Sequence, residues 1–219
     1  MKNVFINFFR SLPLGPRLMV LIYAVAFPIG YAGHATHTFD FYPWLGLCPA
    51  SVWKGQVWRL LSYGLLPARV ADWLIGTFWL ATLASILGRN WTSLAFWGYC
   101  LLGAVGGAAP IVLLRPGADI IVAGNFAIIF ALLVAWDRYY KNERLLLLAV
   151  GELSVRQAAV LIAVINLLIA YFSCGGWLLA LSMVCGGVVG WIYLAVSQKR
   201  VMSLGSQVEE SKRISRLEL

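Results

Sequence analysis

Charge is the scarcest property of this chain. Only 12% of its 219 residues are charged, and just nine of those are acidic. Histidine is nearly missing as well: His34 and His37 are the only two, so an imidazole base has no other address. The four cysteines, at 48, 100, 174 and 185, have no spacing that reads as a metal or redox motif. Small buried hydrophobes is the reading that fits them. Low-complexity tracts, internal repeats and any soluble domain are also missing, which excludes a multidomain arrangement.

What is present explains the shortage. Hydrophobic residues make up 61% of the chain, and its mean hydropathy is +0.82. A soluble core of this size cannot hide so much apolar surface, so lipid is the expected solvent. Six uncharged runs approach the roughly 17–25 residues that a spanning helix needs. They lie at Leu18 to Gly33, Trp73 to Gly88, Trp91 to Leu114, Ile120 to Trp136, Gln157 to Phe172 and Gly176 to Val196. The connections are short except for His34 to Asp72 and Asp137 to Arg156. The expected fold is therefore an all-α integral membrane protein, a six-helix bundle with a long first outer loop. An interfacial cytoplasmic segment (1–17) precedes the membrane domain (18–196), and a basic cytoplasmic tail (197–219) follows it.

Basic residues orient the bundle. Thirteen of the seventeen fall on the side of the two termini; Lys54, Arg59, Arg69 and Arg115 fall on the other. That asymmetry places both termini in the cytoplasm, and the expected location is a bacterial inner membrane. Anionic lipid accounts for the net charge of +8, and nucleic acid is not needed as a partner. No metal or cofactor is expected. Asn90-Trp91-Thr92 matches a glycosylation sequon, but a short cytoplasmic turn is the wrong place for one.

The long outer loop is rich in aromatics, with Phe39, Phe41, Tyr42, Trp44, Trp53 and Trp58, and such a loop should lie partly sunk in the outer leaflet. It closes on Gln56-Val57-Trp58-Arg59-Leu60-Leu61-Ser62-Tyr63. A Trp beside an Arg is a common interfacial anchor, the indole at headgroup depth and the guanidinium on carbonyls or phosphates. In this topological position the stretch resembles the loop motif of the rhomboid superfamily of intramembrane proteases, over about Leu18 to Val196.

Carried across residue by residue, the resemblance keeps the frame and loses the chemistry. The family's second helix has Phe-Leu-His, a further His five residues on and an Asn four beyond; here Leu65-Leu66-Pro67, Asp72 and Gly76 stand there. Its fourth helix carries Gly-x-Ser-Gly; here Gly124-Asn125-Phe126-Ala127 aligns, with Phe126 at the nucleophile. No Ser, Thr or Cys occurs between Asp119 and Trp136. Its sixth helix has a His with glycines three and seven residues later; here Met183 replaces the base while Gly186 and Gly190 remain. A Ser-His dyad needs an imidazole within reach of a hydroxyl, so no peptidase activity is expected.

The resemblance then implies a pseudoprotease that binds transmembrane partners or clients, with membrane lipid as its other partner. Two competing expectations are an accessory subunit of a larger membrane complex and an active protease with a different nucleophile. Transport is the weakest reading, since no span combines several ionisable groups. Trp58 and Arg59 are the expected loop anchor. Gly124, Gly186 and Gly190 are expected at the packing of the fourth helix against the sixth. Asp72 is expected to pair with Arg69 or Arg59, and Cys185 lacks a basic partner that would make it a thiolate. Asn125 and Asn166 are expected to bond neighbouring helices.

Overall fold

The computed structural model describes residues 12–36, 39–88, 91–140, 143–147, 151–172 and 176–217. Most of the segment expected to be interfacial (1–17) lies outside them, as do His37, Arg89, Asn90 and Cys174. The side chains of the basic tail from Gln198 onward also lie outside the described residues.

The chain folds as helices because long apolar stretches in lipid must satisfy every backbone group internally. Helix α1 runs Leu14–Ala35, so it begins before the expected Leu18. The outer loop follows as three short helices, α2 (Tyr42–Leu45), α3 (Pro49–Trp53) and α4 (Arg59–Ser62), and a 3-10 turn at Tyr63–Leu65. Then come α5 (Val70–Leu87), α6 (Ser93–Leu114), α7 (Phe126–Tyr140), α8 (Val155–Phe172) and α9 (Gly176–Leu217). Thr92 caps α6, its hydroxyl accepting from the Ala95 amide at 3.3 Å.

Two helices differ in extent from the apolar runs of the sequence. Among the described residues, four helices are long and apolar enough to cross a membrane: α1, α5, α6 and the Gly176–Ser197 part of α9. The fourth run does not qualify because its helix starts only at Phe126; the preceding Ile120–Asn125 is not helical. Fifteen residues make α7 about 22 Å long, short of a hydrocarbon core of roughly 30 Å. Gly124 is the reason for the late start, with φ +140° and its N–H donating to the Tyr63 carbonyl at 3.1 Å. Further along, α9 continues unbroken past residue 196, so the tail is an extension of the last helix. The long inner connection holds a small hairpin, β1 (Arg144–Leu147) antiparallel to β2 (Gly151–Ser154).

Helix α9 packs chiefly on α6 and α7, α1 on α5 and α6, and α8 on α7 and α9. Small residues set these distances. A Cβ on Gly103 would lie 2.8 Å from that of Ala131, one on Gly106 2.7 Å from Val189, and one on Gly107 against Ala127. Without a hydrophobic drive between helices in lipid, such close backbone approach is what holds them together. Aromatic side chains add hydrogen bonds to helix carbonyls: Tyr99 to Ala131 (2.6 Å), Tyr140 to Ile86 (3.1 Å), Trp73 to Ala24 (2.9 Å) and Trp97 to Gly15 (3.1 Å).

Candidate functional site

The outer loop is tied together by the motif that stood out in the sequence. Helix α4 presents Arg59 inward, only 4% exposed, while Trp58 beside it is 47% exposed. The Trp58 indole donates to the Trp44 carbonyl at 3.3 Å, Ser62 Oγ to that of Leu45 at 2.6 Å, and Arg59 Nη1 to that of Gly46 at 2.7 Å. Three side chains within about one turn thus satisfy three successive carbonyls at the end of α2, a helix terminus that is short of partners. Arg59 Nε also donates to Gln56 Oε1 at 2.6 Å. Leu47 then pairs with Val122 through two backbone bonds, fixing the loop to the segment that leads into α7.

Tyr63 carries the loop into the bundle. Its hydroxyl donates to the Ala104 carbonyl of α6 at 2.8 Å. Burial raises its phenol well above the ordinary value, and a hydrogen bond with Ser182 of α9 opposes that rise. Tyr42 is raised too, by burial and then by the Asp40 carboxylate, and it donates to the Pro67 carbonyl at 2.7 Å.

Two apolar side chains stand at the positions where the sequence resemblance expects a nucleophile and a base. Phe126 at the start of α7 and Met183 on α9 share one buried cluster with Ala170 of α8. They are 4% and 0% exposed. Cys185 is partly buried and makes no disulfide. A Cβ on Gly76 would lie 2.6 Å from Tyr23 Oη and 2.7 Å from Asn125 Oδ1, so the space of a longer side chain is already taken. Asn125 donates to the Gly76 carbonyl at 3.3 Å, joining α7 to α5. Asn166 instead donates to Ile162 of its own helix at 2.8 Å, and its Oδ1, like that of Asn125, is buried without a partner.

Asp72 pairs with Arg69 and not with Arg59. Arg69 Nε and Nη2 reach its two carboxylate oxygens at 2.9 and 3.1 Å. The reason is local: Arg69 occupies the N-cap position of α5, three residues before Asp72, while Arg59 is held by Gly46 and Gln56. This pair borders a cleft of about 420 Å³ at the loop-bearing end of the bundle, where α5, α7 and α9 begin and α6 ends. Arg115, Phe126 and Trp177 also line it. In the sequence Arg115 stands out only as one of four outer basic residues, and its place between two apolar runs is the available signal. Trp177 and Ser182 carry no comparable signal, because their neighbours in the fold lie far away in the chain. Among the described residues, no three His, Cys, Asp or Glu come together to hold a metal.

Of the expected packing glycines, Gly186 lies against Ala127 and Gly190 against Ala131 and the Tyr99 hydroxyl. Gly124 is not in that contact; a Cβ there would face the Phe126 ring at 3.1 Å.

A family model described as eukaryotic integral membrane protein (DUF1751) matches residues 17–203, and the chain belongs to that family. None of the curated proteins matches the chain. The family corrects the expected bacterial inner membrane: the relatives are eukaryotic. Basic-residue asymmetry sets which way a bundle faces, and every membrane with a cytoplasmic side obeys it. It therefore carries no information about the kind of cell.

Proposed function

We propose that the chain is a rhomboid-like, six-span pseudoprotease that binds transmembrane segments without cleaving them. The observation that carries this reading is that Phe126 and Met183, both apolar and buried, share one cluster at the two positions where the resemblance expects nucleophile and base. A phenyl ring and a thioether can neither attack a carbonyl nor move a proton. The retained frame supports the same reading: the Trp58-Arg59 loop anchor, and Gly186 and Gly190 at close helix contact. In this reading α7 and α8 count as the two further spans, with the bilayer thinned around them.

Lateral access fits a transmembrane client. Helices α5 and α8 both pack on α7 but make no substantial contact with each other. Their outer faces carry exposed apolar side chains, among them Leu74 and Phe78 on α5 and Val164 and Leu168 on α8. A photo-crosslinking residue at Phe78 or Leu168 should capture other transmembrane proteins, while one at Val25 of α1 should not. A single stoichiometric adduct would replace this reading with that of a fixed complex subunit; equal capture at all three positions would remove the proposed binding face.

The chemistry has its own test. Serine-directed fluorophosphonates should leave the protein unlabelled, and model transmembrane substrates should stay intact. The double change Phe126→Ser with Met183→His should not create activity, since Gly76 leaves no oxyanion donor and each such donor is worth about 3 kcal/mol. Specific labelling abolished by substituting one Ser or Cys would end the pseudoprotease reading.

A further inference from the structure

The cleft beside Asp72 holds a charge imbalance that the client-binding reading does not use. Two arginines, Arg69 and Arg115, and one carboxylate, Asp72, line it. Arg69 holds both oxygens of Asp72, so those two charges cancel. Arg115 ends α6, is exposed, and its guanidinium makes no hydrogen bond or ion pair among the described residues. One net positive charge therefore stands at the rim.

The rest of the cleft is apolar. Ile120, Ile121 and Trp177 line its outer part, 39%, 51% and 54% exposed, and Phe126 and Leu178 close its inner part. Its volume of about 420 Å³ lies within the range of small-molecule sites, roughly 300–1,000 Å³. An indole beside a cation at the end of a helical bundle is the usual furniture of headgroup depth. A guanidinium presents paired N–H donors that match phosphate geometry. A ligand that satisfies both parts has an anionic phosphate head and an acyl chain.

We propose that this cleft binds one anionic phospholipid from the leaflet on the loop-bearing side. Its phosphate sits on Arg115, and one chain lies along Ile121 and Trp177 towards Phe126. The inference stands apart from the client reading, since it needs no protein partner.

The test is quenching of tryptophan fluorescence in detergent micelles by phospholipids brominated on the acyl chain. Brominated phosphatidylglycerol should quench a component that Trp177→Phe removes, and brominated phosphatidylcholine should need a clearly higher mole fraction. Arg115→Gln should weaken the phosphatidylglycerol effect at least about tenfold, as loss of a charge-assisted phosphate contact implies. Equal quenching by the two lipids, or an unchanged response in Arg115→Gln, would overturn the proposal. Displacement of the lipid by millimolar inorganic phosphate would overturn it too, since the site would then recognise a free anion. Should Arg115→Gln fail to fold, the comparison of lipids on the wild type and Trp177→Phe decides alone.

Discussion

Gly186→Leu and Gly190→Leu should each destabilise the protein by about 3 kcal/mol or more, at the upper end of overpacking costs. Ile192→Leu, two residues beyond Gly190, should change stability by less than about 0.5 kcal/mol, as side chains at unpacked positions do. The contrast follows from what each position faces. A Cβ at Gly186 would lie 2.8 Å from the Ala127 carbonyl oxygen and 3.0 Å from its Cα. Those are backbone atoms inside a helix, and they cannot move aside without shifting α7 as a whole. At Gly190 the added atom would meet the Tyr99 hydroxyl at 2.6 Å and the Ala131 Cα at 3.2 Å, disturbing the bond from Tyr99 to the Ala131 carbonyl. Ile192 is 49% exposed on the outer face of α9. Thermal unfolding in detergent, with size-exclusion profiles before and after heating, measures the difference. Equal tolerance at all three positions would mean that α9 does not seat on α7 through these glycines.

Arg59→Ala should cost about 3 kcal/mol, and Arg59→Lys should recover little of it. The guanidinium is buried and splits its donors between a backbone carbonyl and a side-chain amide, in two directions at once. Hydrogen bonds to a charged group are worth about 1.5–3 kcal/mol each, and a lysine ammonium lacks the planar fork that makes both. Membrane insertion should stay intact, because the spanning helices do not depend on the loop. The measurement is detergent thermal stability for both variants against wild type, with membrane fractionation as the control. If both variants match wild type, the loop is held by Leu47–Val122 pairing and aromatic burial, and Arg59 is a passenger.

Gly186, Gly190 and Arg59 also show which features are legible along a single chain and which are not. Gly186 and Gly190 were legible as packing residues because glycines four apart on one helix face have a single strong physical use in lipid. Their partners were half legible: Ala127 follows from the alignment of α7, whereas Tyr99 comes from α6, a third helix. Arg59 was legible as an anchor, but the choice between loop carbonyls and Asp72 was not. Asp72 went to Arg69 through an i, i+3 contact at the start of α5, which helix geometry favours once the helix start is known. Helix starts are what hydropathy resolves worst. The fourth uncharged run looks like one span by hydropathy, yet its first six residues are not helical, because Gly124 adopts a positive φ and Val122 pairs with Leu47.

By itself, then, the sequence determined the solvent, the number of apolar runs, the small-residue faces, the scarcity of histidine and the lack of Ser, Thr or Cys between Asp119 and Trp136. Each of those follows from residue type and spacing along one chain. Only the tertiary structure decided which runs are full-length helices, which carbonyls Arg59 holds, and that Arg69, Asp72, Arg115 and Trp177 border one cleft. The last of these residues lies more than a hundred positions from the first. Hydropathy is a sum over neighbours in sequence, and it carries no term for side chains that meet only when four separate helix ends converge.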